Sequence, residues 1–558
     1  MAVTFQTVLF WIFWLTLHIG LFIFGFIKQK DDSELWLLNT IQYSVWTSRG
    51  AGLTLALDAA VLLLPVCRNV IRIARGILPG RVTRWVDIDR NLFLHKLTAY
   101  SLLVGTVVHV NAHYVNFFVV ERKLYGVLRL HAEDIHYRSW AGVTGHIMVL
   151  CMFFIYTSAK VEVRRRKFEM FWFTHHLFTV FYICLFFHSF GCFVKTSQGV
   201  CKGYLSNHYT IPVFSLYILE RCIRIYRSSQ PTTVTKVIIH PGRTVEIQFE
   251  KPSLTYTPGR YVFLNIGEVS RWQWHPFTIS STPEEGFVSV HVRVVGDWTE
   301  GLLGLVKKRG KGFRLKVDGP FGAPAEDFDK FENAVLVCAG IGITPAASLL
   351  KSVWYRCWRG RELGGKRVWF VWVNREKEAF AWFRSLLHTL EQSVPTANLD
   401  IQIYMTGALS TDDIHHISLN DRQHCPFASF QPPDQALLAR SNTINSVSSH
   451  TPLFRNNSAN SVYSTSSDIS QAPFLGLQVK SEAGKDPLTS LQSKTHYGRP
   501  NFTEIFQRIC EQVGTGGESE VGVFYCGPPS GADAVREGVK NVGGKGKGVR
   551  IVFRKEKF

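Results

Sequence analysis

Hydrophobic residues gather in long runs over the first 230 positions and in short alternating runs after them. Six apolar stretches fall near residues 7–27, 48–66, 97–118, 140–159, 169–190 and 208–223. Runs of this kind predict helices that cross a hydrocarbon layer about 30 Å thick. The sixth is the weakest, because Pro212 and Glu220 interrupt it. The first has no basic leader and no small-residue cleavage site, so it reads as a retained helix. From about residue 229 the pattern changes. VTKVIIH, TVEIQFE, YVFLNIG and VSVHVRVV are short β-type runs parted by Pro and Gly, and they predict an antiparallel barrel. AVLVCAG, RVWFVWVN, LDIQIYMTG and EVGVFYCG are buried-strand runs. They alternate with helical stretches such as AASLLKSVWYRCW and FAWFRSLLHTLEQ, which is the signature of a parallel, doubly wound sheet. The Ser- and Asn-rich stretch inside 411–493 has too few large apolar residues to offset ordering and predicts a disordered insertion.

Charge gives the apolar half a direction. Arg68, Arg72, Arg75, Arg81, Arg84 and Arg90 follow the second span. Lys160, Arg164, Arg165, Arg166 and Lys167 follow the fourth, and Arg221, Arg224 and Arg227 follow the sixth. Basic flanks stay in the cytosol, so both termini are expected there. The net charge of +19 in 558 residues therefore belongs to membrane flanks, and no nucleic-acid-binding signature accompanies it. The 11 Cys show no metal-ribbon spacing. Cys192 and Cys201 share the expected outer loop, where a disulfide is chemically possible.

Within the apolar spans the histidines stand out, since an imidazole in hydrocarbon is costly and marks a functional site by default. His175 and His188 lie 13 residues apart in FWFTHHLFTVFYICLFFH, and His95 and His109 lie 14 apart in HKLTAYSLLVGTVVH. At 1.5 Å per residue each pair spans about 20 Å of helix. Two such helices side by side would offer two facing imidazole pairs, one near each leaflet. Facing neutral imidazoles are axial ligands of haem iron. The plainer alternative, buried histidines bonded to their neighbours, fits one lone His better than two matched pairs.

Four motifs mark the soluble half. They are His275-Pro276-Phe277-Thr278, then His291-Val292-Arg293 with Gly296 to Thr299 behind it, the run Gly340-Ile341-Gly342-Ile343-Thr344-Pro345, and Cys526-Gly527-Pro528-Pro529. The glycines of the third follow a buried strand and precede a helix, a place where backbone amides can approach a phosphate. The fourth ends the last of the buried-strand runs, where ligands of open α/β sheets bind.

HPFT, HVRVVGDWTEGL, DGPFG, GIGITP and CGP together resemble ferredoxin–NADP reductase-type modules. Joined to THHLF, LLPVCRN, AGVTGH, GRPNF and a terminal Phe558, they resemble the NADPH oxidases of the phagocyte flavocytochrome b type, in the form without EF-hands, over nearly the whole chain. The resemblance implies a six-helix transmembrane bis-haem bundle over 1–228. An FAD-binding β-barrel over 229–325 and a doubly wound NADPH-binding α/β domain over 326–558 would follow. It implies a superoxide-generating enzyme with FAD, two b-type haems and NADPH, in the plasma or an internal membrane.

The same resemblance assigns roles. His95 and His175 match the inner haem ligands, and His109 and His188 the outer ones. Phe181 matches an aromatic between the haems, while Arg49 and His113 match polar residues where dioxygen is reduced. His275, Pro276, Phe277 and Thr278 match the flavin motif, with His291, Arg293 and Thr299 nearby. Arg293 is then the partner of the pyrophosphate. Gly340, Gly342, Thr344, Pro345, Cys526 and Gly527 match the nicotinamide and phosphate loops. Arg375 and Arg499 are placed to grip a 2′-phosphate, and Phe558 would cover the flavin ring. Implied partners are dioxygen, cytosolic activators with a Rac-type small GTPase, and a small membrane subunit. No calcium loop is present in the sequence, so direct calcium activation is not expected. A transmembrane ferric- or cupric-chelate reductase is the alternative, because it would share the haem spans and flavin modules.

Overall fold

The computed structural model describes residues 5–77, 91–191, 196, 206–360, 365–407, 486, 489, 491–493, 495–514, 519–543 and 548–556. It comprises two compact units, Met1–Ile225 and Tyr226–Phe558.

The first unit is helical: α1 (Phe5–Lys30), α2 (Tyr43–Leu63), α3 (Asn91–Leu128), α4 (Trp140–Ser158), α5 (Phe168–His175), α6 (Phe178–Ser189) and α7 (Ser206–Ser229). Shorter helices lie in the connections. Among the described residues five stretches are long and apolar enough to cross a membrane: α1, α2, α3, α4 and the α5–α6 pair. The expected sixth span forms the 24-residue α7 with Pro212 inside it, and it is not among those five. Glu220 of α7 is buried, and its Oε1 accepts the amide of Asn69 at 3.0 Å. A carboxylate there satisfies an orphan donor in the first turn of Arg68–Ile77.

Two helices differ from the pattern reading. α3 has 38 residues, about 57 Å at 1.5 Å each, and overshoots the expected 97–118 at both ends. Its far end packs Phe117, Val120 and Leu124 against Ile41, Val45, Ala132 and Ile135. The fifth span is broken, and tight bonds from His176 to Phe173 (3.2 Å) and from Leu177 to Thr174 (3.1 Å) replace the helical ladder. The Thr174 hydroxyl also bonds back to the Met170 carbonyl at 2.7 Å, a contact that bends helices.

Small residues let the helices approach. A Cβ on Gly50 would lie 2.6 Å from the Phe22 carbonyl, so α1 and α2 touch backbone to backbone there. Asp58 of α2 is buried inside a spanning helix and pairs with His18 of α1 at 3.0 Å. Two polar groups in hydrocarbon are tolerable because each answers the other.

The second unit opens with β1 (Thr233–His240), β2 (Thr244–Glu250), β3 (Tyr261–Ile266), β4 (His275–Thr278), β5 (Val288–Arg293), α8 (Asp297–Arg309) and β6 (Leu315–Phe321). They form two antiparallel three-stranded sheets, ordered β1-β2-β5 and β4-β3-β6. Val245, Ile247, Phe249, Val288, Val290 and Val292 face inward from the first sheet, and Val262, Leu264 and Ile266 from the second. The alternation in the sequence is thus the inside and outside of a barrel.

β7 (Asn333–Ala339), α9 (Ile343–Trp358), β8 (Arg367–Asn374), α10 (Arg384–Ser393), β9 (Leu399–Met405), β10 (Thr495–Tyr497), α11 (Phe502–Val513), β11 (Ser519–Cys526), α12 (Pro529–Gly543) and β12 (Val549–Lys555) complete the unit. The sheet is parallel throughout, in the order β10-β9-β8-β7-β11-β12. Leu336, Cys338, Phe370 and Trp372 pack on α9 and α10 on one face. Val335, Val337, Trp369 and Val371 pack on α11 and α12 on the other. Successive strand residues feed opposite layers, so these strands read as unbroken apolar runs.

The stretch expected as a disordered insertion separates two paired neighbours, β9 and β10. Residues 408–485 lie outside the described set. Its last positions are not loose: Asp486 accepts from both the amide and hydroxyl of Thr489 and of Thr495, at 2.8–2.9 Å. Glu391 of α10 accepts the amides of Gln492 and Ser493 at 2.9 Å. The expectation of disorder through 493 is corrected there, because the buried Asp486 and the half-buried Glu391 organise the re-entry to the sheet.

Candidate functional site

In the first unit α3 carries His95 and His109, while α5 and α6 carry His175 and His188. The rings of His95 and His175 lie 6.2 Å apart, and those of His109 and His188 lie 6.5 Å apart. A metal–imidazole bond of about 2 Å on each side, plus two ring half-widths, adds to roughly 6 Å. Both gaps therefore have the width of one axially held iron. Ring orientation agrees. Nδ1 of His95 meets the Leu62 carbonyl at 3.0 Å, and Nδ1 of His109 the Ser48 carbonyl at 2.9 Å. Nδ1 of His188 meets the Thr144 hydroxyl at 3.1 Å. Engaging Nδ1 leaves Nε2 as the ligating atom. Nδ1 of His175 is buried with no hydrogen-bond partner among the described residues. The donor set and spacing fit a haem at each level.

A cavity of about 680 Å³ holds the outer pair. Arg49, His113, Phe181, Met148 and Met152 line it with His109 and His188. The His113 ring is 4.4 Å from that of His109. Gly52 and Gly145 give the imidazoles room, since a Cβ on either would sit 3.5 Å from Cε1 of His109 or His188 respectively. Tyr114, His136 and His146 also line this cavity; His146 ends the AGVTGH run, while Tyr114 and His136 stood in no motif. Their histidine spacing repeats no pair. Thr144 and Gly145 sit inside AGVTGH, which was the one available signal.

In the barrel, β4 presents His275 and Phe277 to Trp298 of α8, at ring distances of 4.3 and 5.9 Å. Burial lowers His275 to about 4, so the ring is neutral at physiological pH. Thr278 is buried beside them, Pro276 is exposed, and the buried Trp298 Nε1 has no partner among the described residues. This aromatic wall with an unanswered donor fits a flavin. Thr299 is occupied otherwise: its hydroxyl oxygen accepts the amides of Val295 and Gly296 at 2.9 and 3.0 Å and so caps α8. The contacts of His291 are likewise elsewhere, with Ser280, Glu246 and Phe383. Arg293 pairs with Glu376, and its guanidinium would lie 3.6 Å from a Cβ on Gly340.

The parallel sheet reverses its winding between β7 and β11, the switch point where such folds bind ligands. Gly340 and Gly342 leave β7 there, and Cys526 and Gly527 leave β11. Gly340 has φ +56°, which favours glycine. A Cβ on Gly342 would lie 2.2 Å from the Cys526 carbonyl, so the two loops touch only because no side chain intervenes. Thr344 and Pro345 are buried in the first turn of α9. Burial holds the Cys526 thiol well above its ordinary range, so it stays protonated. Asn374 at the end of β8 has a buried Nδ2 with no partner among the described residues. Its Oδ1 would be 3.9 Å from a Cβ on Gly340. Asn374 and Tyr497 both align with Met405 of β9, so Arg375 and Arg499 leave the sheet two strands apart, about 10 Å. Both are exposed. This cradle fits a dinucleotide with an extra phosphate. Phe558 lies outside the described residues, as do Cys192 and Cys201.

Three family models match in chain order. They are a ferric reductase like transmembrane component over 53–186, an FAD-binding domain over 229–325 and a ferric reductase NAD binding domain over 331–540. Together they define a transmembrane flavoprotein oxidoreductase. The chain is 31% identical to NADPH oxidase 1 of Rattus norvegicus, over 99% of this chain and 98% of that one. It is 30% identical to a superoxide-generating NADPH oxidase heavy chain of Dictyostelium discoideum, over 98% of this chain and 73% of that one. The chain belongs to the NADPH oxidase family.

Proposed function

We propose that this chain draws electrons from NADPH on the cytosolic side of a membrane and delivers them to dioxygen on the other, releasing superoxide. The observation that carries this reading is the pair of imidazole gaps, 6.2 and 6.5 Å wide, at two levels of one helix bundle. When bound, FAD accepts a hydride from NADPH, and two haems pass single electrons onward to dioxygen.

The chain's own residues hold and orient. His95 with His175 would hold the inner haem, and His109 with His188 the outer one. Leu62, Ser48 and Thr144 fix three of the four rings through Nδ1. Because His109 and His188 together would hold the outer haem, the chemistry it would supply is electron transfer to dioxygen nearby. Arg49 and His113, on the same cavity wall, would stabilise negative charge as it develops there. Phe181 would fill the space between the two levels. His275, Phe277 and Thr278 would border the flavin, and Arg293 would neutralise its pyrophosphate. Gly340 and Gly342 admit the nucleotide phosphates, and Thr344, Cys526 and Phe558 would border the nicotinamide. Arg375 and Arg499 would grip the 2′-phosphate that distinguishes NADPH from NADH. The work divides at about residues 229 and 326. Basic flanks favour a cytosolic position for both termini, at a plasma or internal membrane. There, cytosolic activators with a Rac-type GTPase, and a small membrane subunit, would act.

The test uses membranes holding the full chain. NADPH should drive superoxide release that superoxide dismutase abolishes. Arg49→Ala combined with His113→Ala should keep haem content and haem reduction yet slow release at least tenfold. Faster reduction of a ferric chelate than of dioxygen, with dismutase present, would make the chain a metal-chelate reductase instead.

A further inference from the structure

The outer face of the barrel carries a cluster that the electron path does not use. β2 and β5 pair so that Glu246 stands opposite His291. β1 pairs with β2 on its other side and brings His240 to the same carboxylate. Nε2 of His240 lies 2.8 Å from Oε2 of Glu246, and Nε2 of His291 lies 3.6 Å from it. All three ligand atoms fall within 4.8 Å of one another. Alternation puts them there. Val245, Ile247, Val290 and Val292 fill the barrel core, so Glu246 and His291 must face outward. They are nevertheless buried, because Phe383 covers His291 at a ring distance of 4.7 Å.

The hydrogen bonding leaves a gap in this cluster. The Ser280 hydroxyl donates to the Ser289 carbonyl at 3.1 Å. Its oxygen also lies 2.7 Å from the Ser289 hydroxyl and 2.8 Å from Nδ1 of His291. With Nδ1 engaged there, His291 turns its Nε2 toward the carboxylate, 3.6 Å from Oε2 and beyond a hydrogen bond. A carboxylate oxygen and an imidazole nitrogen thus face each other without a hydrogen bond, and a cation between them is the natural complement. The outer sphere is built as well: Ser280 fixes the His291 ring, and Gln248 Nε2 donates to Oε1 of Glu246 at 2.8 Å.

We propose that His240, Glu246 and His291 form a binding site for a divalent transition-metal cation of the Zn²⁺ class. Two imidazoles and one carboxylate suit Zn²⁺, whereas Mg²⁺ and Ca²⁺ prefer oxygen shells. Donor atoms about 2 Å from a tetrahedral Zn²⁺ lie roughly 3.3 Å apart, and the observed 2.8 and 3.6 Å bracket that value. A water would take the fourth position. The site is structural: it clamps three strands of the barrel beneath Phe383, and next to it Trp382 Nε1 donates to the Pro241 carbonyl at 2.6 Å.

The full-length, FAD-loaded protein is to be stripped with a chelator, titrated with ZnCl₂, and analysed for bound metal and thermal midpoint. The wild type should take up one equivalent of Zn²⁺ that MgCl₂ does not displace, with a higher midpoint. Glu246→Gln and His240→Ala should each weaken this binding at least tenfold and abolish the shift in midpoint. FAD content reports folding. Should Glu246→Gln lose FAD, the half-buried His240→Gln carries the test. Absence of bound Zn²⁺ in the wild type, or equal binding by wild type and a folded variant, overturns the proposal.

Discussion

At the scale of single residues, the histidine pairs make the sharpest demand. Each iron would depend on two imidazoles from different helices, so one loss is enough. His95→Leu or His175→Leu should remove the inner haem, and His109→Leu or His188→Leu the outer one. Haem-to-protein ratio and reduced-minus-oxidised spectra decide it, and a variant that keeps two haems with an unchanged spectrum excludes its residue as a ligand. The cations at the sheet edge make a second demand. Arg375→Ala with Arg499→Ala should raise KM for NADPH by about 10–100-fold, the loss of one or two charge-assisted contacts. KM for NADH should hardly move, and equal loss with both would place the 2′-phosphate elsewhere. The four ligand candidates could be read from the sequence because imidazole in hydrocarbon is rare for an energetic reason. Their supports could not. The Leu62 and Ser48 acceptors are backbone carbonyls, which any residue type would supply. Thr299 stood in a motif, but only the structure shows its hydroxyl capping α8.

At the scale of elements, periodicity gave the spans and most strands, and it missed what tertiary contact decides. The break between α5 and α6 arises from Thr174 bonding backward, inside a run that stays apolar throughout. β12 carries Arg550, Arg554 and Lys555, and β10 has three residues, so neither reads as a buried strand. β4 is short too, and its exposed Pro276 breaks any alternation, yet pairing with β3 holds it extended. That strand leads to an acid sensitivity. Burial keeps His275 at about 4, below its ordinary 6.5. As pH falls from 6.5 toward 4, the unfolded chain takes a proton at His275 before the folded barrel does, so stability falls with pH across that window. Glutamine has no such proton. The thermal midpoint of His275→Gln should decline less steeply between pH 6.5 and 4 than that of the wild type, and parallel declines would show that other groups set the slope.

At the scale of the molecule, the stacking of the two histidine levels has an electrical meaning. His95 and His109 sit on one unbroken helix, about 21 Å apart along its axis, which is most of the hydrocarbon thickness. No counter-ion path is needed for an electron to descend that ladder, so each turnover would separate charge and load the membrane like a capacitor. An electron moved across the full layer against 100 mV works against about 2.3 kcal/mol. That is enough to slow a late step more than tenfold. In sealed vesicles supplied with NADPH, superoxide output should therefore start fast and decay as the voltage builds. Adding valinomycin with potassium, or a protonophore, should restore the initial rate. Output that stays constant and ignores the ionophore would mean that the two levels do not span the insulating layer.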